Sequence, residues 1–274
     1  MDLYTQTAYE ASRIVTNRYS TSFSLSIRLF EKTLRPHIYA VYGLVRIGDE
    51  IVDTYRGNDA AQLLKELQAD THRALQTGYS TNPIVHAFAA TAQRFHIGID
   101  LIDPFFKSMA MDLEARDYDQ KAYDEYIYGS AEVVGLMCLK VFCDDENRYE
   151  SLVAGARSLG AAYQKVNFLR DIAADNEGLA RWYFPEGSYD TFDEAQKLVI
   201  EKDIAKDFAG ARRAIEKLPD ASRKAVQLSW AYYHELLTKI QATPAEELKN
   251  QRIRVPNAQK IVLLTKTVLK GSRS

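Results

Sequence analysis

The sequence is poor in residues that cross-link a chain or interrupt helices. It has two cysteines, seven prolines and 13 glycines among 274 residues. Cys138 and Cys143 fall within one apolar stretch and form neither a disulfide framework nor a CxxC site, which indicates a reducing compartment. The few prolines and glycines, and the lack of strand-like alternation over a useful length, predict an all-α fold.

The sequence also lacks a strong charge bias and a long apolar run. The net charge is -2 and the pI is about 6.2, so no nucleic-acid partner is expected. The N-terminus is acidic and polar, unlike a signal peptide, and no apolar run approaches the ~20 residues of a membrane span. We therefore predict a cytoplasmic protein. A peripheral membrane contact stays open because the last predicted helix is basic, with Lys260, Lys266, Lys270 and Arg273.

Common metal and phosphate motifs are missing as well. The five histidines are scattered without an HExxH or zinc-like spacing, and neither GxxxxGK[ST] nor GxGxxG occurs. Oxygen-bearing side chains occur instead at helical spacing in the stretch 161–175. Gln164, Asn167, Asp171 and Asp175 follow at steps of three, four and four, which places them on one helix face.

A second stretch, 38–53, repeats this arrangement. Asp49 and Asp53 are four residues apart, and Tyr42 and Arg46 precede them on the same face. Two helices that each carry such a pair could face each other across a cavity. Carboxylates at this spacing are too far apart to chelate one ion tightly, but they can hold several hard cations that also contact a ligand.

All-oxygen ligands of this kind suit Mg²⁺, with Mn²⁺ as a substitute, and Mg²⁺ prefers carboxylate together with phosphate oxygens. The residues therefore predict a diphosphate bound through metal, with cationic help from Arg46, Arg170 or Lys165. A single acidic pair on a helix is more often a solvated face. These two pairs differ because they interrupt core-like apolar sequence, where an unpaired charge is costly.

The element boundaries can also be predicted. We expect one domain over residues 1–274, since no linker or repeat divides the chain. The local patterns predict a connection over 18–30, one helix over about 34–54, and one over 100–116 with Asp103-Pro104 as another possible start. They also predict a cap at Asp144-Asp145 and capping boxes at Thr191 with Glu194 and Thr243 with Glu246.

Six segments in order resemble the squalene/phytoene synthase family, and its bacterial phytoene synthase branch most of all. They are YSTSFSL (19–25), YAVYGLVRIGDEIVD (39–53), YIYGSAEVVGLM (126–137), YQKVNFLRDIAAD (163–175), RWYFPE (181–186) and QRIRVPNAQK (251–260). The resemblance implies an isoprenoid-synthase helical bundle with a central cavity. It also implies Mg²⁺ and two prenyl diphosphate substrates.

The resemblance assigns roles residue by residue. The metal-binding positions are Asp49, Asp53, Asn167, Asp171 and Asp175. The catalytic positions are the four aspartates with Arg46 and Tyr126. The substrate-binding positions are Ser20, Ser22, Phe23, Tyr42, Gln164, Asn167, Arg181, Tyr183, Tyr233 and Arg252.

The sequence departs from the family pattern at a few positions. Many members have His where Tyr19 stands, so a proton-transfer role is not carried over. Glu132 replaces a small residue, and it could support a metal ligand or Arg, or point away from the cavity. Two extra residues separate Tyr233 from Arg252. The apolar residues Val133, Val134, Gly135 and Met137 could line a tunnel or form ordinary core.

The implied activity is a prenyltransferase of the 15-cis-phytoene synthase type, acting in carotenoid biosynthesis. Two geranylgeranyl diphosphates condense head to head to phytoene through a cyclopropyl diphosphate, without NADPH. Alternatives are squalene or dehydrosqualene synthesis from farnesyl diphosphate, an inactive helical scaffold, or a membrane-surface module. The intact acidic motifs favour an enzyme. The sequence leaves prenyl chain length and oligomeric state open.

Overall fold

The computed structural model describes residues 1–114, 118–179 and 181–270 as a bundle of α-helices, with no β-sheet in these ranges. This confirms the predicted all-α class. The helices are α1 (Leu3–Tyr19), α2 (Thr21–Ile27), α3 (Arg35–Asp49), α4 (Ala60–Thr77), α5 (Pro83–Phe95), α6 (Ile99–Glu114), α7 (Gln120–Ile127), α8 (Val133–Phe142), α9 (Glu146–Leu179), α10 (Glu194–Lys217), α11 (Asp220–Gln241), α12 (Ala245–Leu248) and α13 (Asn257–Lys270). Two π-helical turns, π1 (Glu50–Thr54) and π2 (Tyr128–Glu132), extend α3 and α7.

The 34-residue helix α9 is the longest described element, and it packs against α8, α10, α11 and π2. The Asp145 carboxylate accepts from the Arg148 backbone N–H at 2.8 Å and caps its start, within the predicted Asp144-Asp145 pair. Gly155 and Gly160 allow the close packing of α9 against its neighbours. A Cβ on Gly160 would lie 2.6 Å from the Ala131 carbonyl oxygen, so only glycine fits there.

The N-terminal helices form a second group in which α1, α3 and α5 pack together. A small polar cluster joins them inside the core. The Nδ1 atom of His37 lies 3.1 Å from the Tyr9 hydroxyl and 3.0 Å from the Thr91 hydroxyl. Burial lowers the pKa of His37 to about 4, so the imidazole is neutral in the fold at physiological pH.

One predicted boundary near the N-terminus is wrong and another is confirmed. The stretch 18–30 is mostly helical instead of a connection, because α1 continues to Tyr19 and the Ser20 hydroxyl caps α2 by accepting from the Phe23 N–H at 3.2 Å. The helix predicted over about 34–54 is confirmed, since α3 begins at Arg35 and π1 continues it to Thr54. Within α2 the Ser26 hydroxyl donates to the Ser22 carbonyl oxygen, which gives this polar side chain a partner inside the helix.

The predicted capping boxes are also wrong. Asp193 caps α10, while Thr191 bonds within the preceding turn. The Glu194 carboxylate accepts from the Ala245 N–H at 2.5 Å, so it satisfies the start of α12 instead of its own helix. The Thr243 hydroxyl bonds back to α11. A local cap two residues after Thr191 therefore starts α10, whereas a long-range contact from Glu194 satisfies the start of α12.

The helix start predicted at Asp100 is confirmed to within one residue, whereas the alternative start at Asp103-Pro104 is wrong. Helix α6 begins at Ile99 and includes Pro104. The Asp103 carboxylate accepts from His72 at 2.7 Å, so it is engaged by α4 instead of capping a helix. At the other end of the chain, Arg273 of the predicted basic helix lies outside the described residues. In the part of the chain that the structure describes, no helix combines the length and apolarity needed to cross a bilayer.

Candidate functional site

An elongated cavity of about 1040 Å³ runs along α9. Its lining includes α9 residues from Leu152 to Asp175, which at about 1.5 Å per residue lie about 35 Å apart along the helix axis. Around Leu152 the lining belongs to one apolar core cluster, with Ile215, Leu218 and Val226. Around Asp175 the lining is acidic and aromatic. The cavity is therefore a tunnel with one apolar end and one charged end.

Every predicted site residue except Arg181 lines this tunnel. The lining residues from the prediction are Ser20, Ser22, Phe23, Tyr42, Arg46, Asp49, Asp53, Tyr126, Gln164, Asn167, Asp171, Asp175, Tyr183, Tyr233 and Arg252. They come from α2 and its cap Ser20, α3, π1, α7, α9, α11 and two connecting segments. Residues far apart in the chain are thus brought to one surface.

The first acidic motif lies where α3 runs into π1. Asp49 ends α3 and Asp53 lies in the wider π turn. Arg46 donates to the Glu50 carboxylate at 2.5 Å, and its Nη1 lies 3.9 Å from an Asp49 oxygen. The same guanidinium lies 4.3 Å from the ring centroid of Tyr19. Tyr19 therefore acts as an aromatic support for a tunnel-lining cation.

The second acidic motif lies near the end of α9. Asp171 Oδ1 accepts from Arg170 Nε at 3.0 Å and lies 2.7 Å from Arg252 Nε, so two guanidiniums hold one carboxylate. The Tyr233 hydroxyl donates to the Asn167 side-chain oxygen at 3.4 Å. The extra residues between Tyr233 and Arg252 therefore do not prevent both from reaching this motif.

The two motifs face each other closely enough to interact electrostatically. Burial and, next in size, the neighbouring Asp53 carboxylate raise the pKa of Asp49 to about 7, although Arg46 opposes the rise. Burial also raises the pKa of Asp175 to about 7, with Asp171 and then Asp53 adding to the rise. A cation placed between α3–π1 and α9 would relieve this repulsion.

The donor set fits a hard cation held together with an anionic ligand. No group of three His, Cys, Asp or Glu side chains among the described residues could hold a metal ion by itself. The Asp49 and Asp53 side chains remain 31% and 44% exposed. The Nε atom of Arg46 is buried without a hydrogen-bond partner. Carboxylates with free coordination capacity and an unused guanidinium donor suit Mg²⁺ that shares its ligands with a diphosphate.

Asp112, on α6, is a tunnel-lining residue that the sequence analysis missed. Its carboxylate accepts from the Tyr126 hydroxyl at 2.7 Å and from the Tyr183 hydroxyl at 3.0 Å. Burial raises the pKa of Asp112 to about 6, although Arg181 and Tyr126 oppose the rise. The signal was weak because Asp112 has no second carboxylate at helical spacing on α6. Only the fold brings it behind the first motif.

Arg181, which was predicted to bind substrate, is not part of the tunnel lining. Its side chain is 4% exposed and lies behind the tunnel wall. There the guanidinium donates to Asp53 Oδ1 at 2.8 Å and to the Val52 and Asp112 carbonyl oxygens at 3.1 and 2.8 Å. Arg181 therefore contacts a predicted metal ligand and the backbone, and both of its terminal nitrogens donate to protein oxygens.

Stacked aromatic rings form much of the wall near the charged end. The stacked pairs are Phe23 with Tyr42 (centroids 5.2 Å apart), Tyr163 with Tyr233 (3.9 Å) and Phe168 with Tyr183 (4.1 Å). Aromatic faces carry negative charge density and attract cations. The faces of these rings can therefore stabilise positive charge on a ligand.

The predicted α8 residues divide between the two roles left open for them, tunnel lining and ordinary core. Val134 and Gly135 line the tunnel, whereas Val133 and Met137 lie in the apolar core. A Cβ on Gly135 would lie 3.0 Å from the Ala156 carbonyl oxygen of α9. Gly135 therefore has a second role, because it also allows α8 and α9 to pack closely.

Two side chains that sequence reasoning linked to the site point elsewhere. The Glu132 carboxylate accepts from Arg157 at 2.5 Å and is absent from the tunnel lining. The suggested supporting role for Glu132 is therefore not found. Lys165 pairs with Asp203 and Asp207 of α10, so it is neutralised away from the tunnel and does not supply the predicted cation.

The chain is similar in sequence to proteins of a known family. A family model described as squalene/phytoene synthase matches residues 16–259. Phytoene synthase 3, chloroplastic, of Zea mays is 26% identical over 278 residues, which cover 94% of this chain but only 64% of the maize protein. The phytoene synthase of Arthrospira platensis is 26% identical over 285 residues, covering 94% of this chain and 91% of its own.

A solved structure gives the same view of the fold. The crystal structure of a dehydrosqualene synthase in complex with ligand superimposes with a TM-score of 0.82 over 98% of both chains, at 19% sequence identity. At this identity the likeness concerns the fold alone. It confirms the predicted isoprenoid-synthase bundle.

Proposed function

Because the chain belongs to the squalene/phytoene synthase family, whose members are prenyltransferase-type enzymes, we propose that it condenses two prenyl diphosphates head to head. The proposed substrate is geranylgeranyl diphosphate and the proposed product is phytoene, formed through a cyclopropyl diphosphate. Mg²⁺ is the proposed cofactor, with Mn²⁺ as a substitute, and no NADPH is required. The relatives named phytoene synthase support this choice of product.

The facing acidic motifs would hold the metal. Asp49 and Asp53 on one side, and Asn167, Asp171 and Asp175 on the other, offer oxygen ligands across the charged end of the tunnel. Mg²⁺, when bound, would neutralise negative charge on the leaving diphosphate. The fold holds these oxygens in place, and the repulsion between the carboxylates favours a bound cation.

Three arginines at the charged end can take part in diphosphate binding. Arg46, Arg170 and Arg252 line the tunnel, and each contacts a carboxylate of its own motif. An arriving metal–diphosphate complex would offer these carboxylates a metal and these guanidiniums a phosphate. The arginines then compensate charge both before and after binding, which keeps the site hydrogen-bonded in each state.

The aromatic and apolar lining would protect the reacting carbon skeleton. Loss of diphosphate leaves an allylic cation, which water would quench. The stacked rings beside Asp171 and the apolar end near Leu152 provide a dry wall and room for prenyl tails. Tyr126, fixed by Asp112 at 2.7 Å, presents its ring and hydroxyl at a defined position beside the first motif.

The single observation that carries the proposal is the tunnel itself. One continuous cavity joins two opposed acidic motifs to an apolar channel along α9. A diphosphate head with a long hydrocarbon tail matches both ends at once. The inactive-scaffold alternative does not explain why carboxylates that repel one another surround a cavity.

A product assay tests the proposal. Purified protein is incubated with Mg²⁺ and either geranylgeranyl or farnesyl diphosphate, with and without NADPH, and organic extracts are analysed by mass. Phytoene from the longer substrate without NADPH is the expected result. An absence of any product from folded protein with Mg²⁺ would refute the enzymatic proposal and favour the scaffold.

A second candidate is synthesis of dehydrosqualene or squalene from farnesyl diphosphate. The close superposition on a dehydrosqualene synthase over 98% of both chains favours keeping it. A thirty-carbon product in the same assay would select this candidate, and dependence on NADPH would separate squalene from dehydrosqualene.

A further inference from the structure

Asp112 is a buried carboxylate whose two oxygens are both engaged behind the first acidic motif. Its side chain is 2% exposed. Oδ2 accepts from the Tyr126 hydroxyl at 2.7 Å, and Oδ1 accepts from the Tyr183 and Tyr118 hydroxyls at 3.0 and 3.4 Å. Three hydroxyl donors around one carboxylate fix it as an acceptor in one orientation.

The same carboxylate lies beside the guanidinium that holds Asp53. Arg181 Nη1 is 2.8 Å from Asp53 Oδ1 and 3.7 Å from Asp112 Oδ1. Its Nη2 donates to the Val52 carbonyl oxygen in π1 and to the Asp112 carbonyl oxygen in α6. One arginine thus links the π turn that carries Asp53 to the helix that carries Asp112.

The two carboxylates that share Arg181 differ in exposure. The Asp53 side chain is 44% exposed and faces the tunnel, whereas Asp112 is enclosed. A buried guanidinium with a single anionic partner would compensate that partner's charge fully. With two partners, the group of three carries a net negative charge, and the accessible part of that charge is on Asp53.

We propose that Asp112 is a positioning residue for the cation site: it holds Arg181 in place and shares the charge of that guanidinium, which leaves the negative charge of Asp53 only partly compensated and its carboxylate correctly oriented for a divalent cation. This inference rests on the proposed function in so far as Asp53 is taken as a metal ligand. Asp112 does not itself contact the cation in this proposal. Its effect passes through Arg181, and this connection can be tested by a double-mutant cycle.

The test measures Mn²⁺ affinity without any substrate turnover. Free Mn²⁺ is followed by electron paramagnetic resonance during titration of the full chain with inorganic diphosphate present. Supporting groups behind metal ligands typically change affinity by about 10–100-fold, so we expect D112N to weaken Mn²⁺ binding by about tenfold. In the R181Q background, the additional effect of D112N should be within about twofold, since the connecting guanidinium is gone.

Y118F is the matched control. It removes the longest of the three hydroxyl contacts, at 3.4 Å, from a residue outside the tunnel lining, and should change Mn²⁺ affinity by less than about twofold. Thermal melts confirm that each variant is folded. If D112N does not fold, R181K tests the same connection, because the single nitrogen of an ammonium cannot replace the two separate nitrogens that reach Asp53 and the carbonyl oxygens. R181K should then weaken binding by about tenfold.

The outcomes separate this inference from the proposed function. Unchanged affinity in D112N, or in R181K where that variant replaces it, overturns the positioning role even when the wild-type protein binds Mn²⁺ and makes product. Equal weakening by D112N with and without Arg181 also overturns it, because the effect would then be direct. Wild-type protein that binds no Mn²⁺ with diphosphate would refute the metal site and this inference together.

Discussion

Replacing Asp49 by Asn should stabilise the metal-free protein while abolishing turnover. In the fold, burial and the nearby Asp53 carboxylate raise the pKa of Asp49 to about 7, from an ordinary value of 3.8. At about 1.36 kcal/mol for each pKa unit, the ionised carboxylate opposes folding by at most about 4 kcal/mol. The side chain is 31% exposed to the tunnel, and solvent screening there reduces the expected gain to about 1–2 kcal/mol.

The pH dependence of this gain follows from the direction of the shift. An acid whose pKa is raised in the fold stabilises the fold most when it is protonated in both states, below about pH 4. That stability is lost as the pH rises through 4 to about 7, the pKa of Asp49 in the fold. The advantage of D49N is therefore largest at pH 8 and clearly smaller at pH 5.

The assay is urea denaturation of wild-type and D49N protein in EDTA at both pH values. E10Q is the matched control, because Glu10 is an exposed carboxylate on α1 and its neutralisation should change stability by less than about 0.5 kcal/mol. Adding Mg²⁺ with diphosphate should reverse the order, since only the carboxylate gains from the cation. A D49N variant less stable than wild type in EDTA at pH 8 would refute the reasoning.

Three further predictions concern other parts of the fold. D171N should lose all turnover with Mg²⁺ present while its circular dichroism melt stays cooperative, because Asp171 offers oxygen ligands at the tunnel surface; full activity would remove it from the metal site. F23A should change rate or product distribution by mass analysis, since its ring stacks on Tyr42 at the tunnel wall; an unchanged profile would return Phe23 to the core. Because His37 is buried and neutral in the fold, the free energy of unfolding should fall by up to about 3 kcal/mol as the pH drops from 6.5 to 4, where only the unfolded chain gains the proton. H37Q should flatten this dependence of stability on pH in urea titrations. An unaltered dependence would contradict a neutral His37 in the fold.

The sequence was informative where one helix carries the whole signal. Gln164, Asn167, Asp171 and Asp175 repeat at helical spacing, and α9 places all four in the tunnel lining. A regular helix turns periodicity directly into a shared face, so this part of the site needed no tertiary information. The same holds for the all-α class, since helical periodicity runs through almost every segment.

The sequence was silent where tertiary contacts decide the outcome. Asp112 has no spaced partner on its own helix, and its role appears only when α6, α7 and the segment of Arg181 meet. Glu132 was ambiguous because its direction depends on π2, which local propensity does not predict. Arg181 matched a family position, yet only packing shows that its donors contact Asp53 and backbone carbonyl oxygens instead of the open tunnel.

Because the tunnel follows the single helix α9, its lining positions are spaced at regular intervals, as on a ruler. Lining positions recur at roughly one turn, or about 5.4 Å, through Asn167, Tyr163, Leu159, Ala156 and Leu152. A bulky residue introduced at successive marks would close the channel at successive depths, while the acidic end remained untouched. The length of hydrocarbon accepted and the chemistry performed on its head group could therefore diverge independently during evolution or engineering.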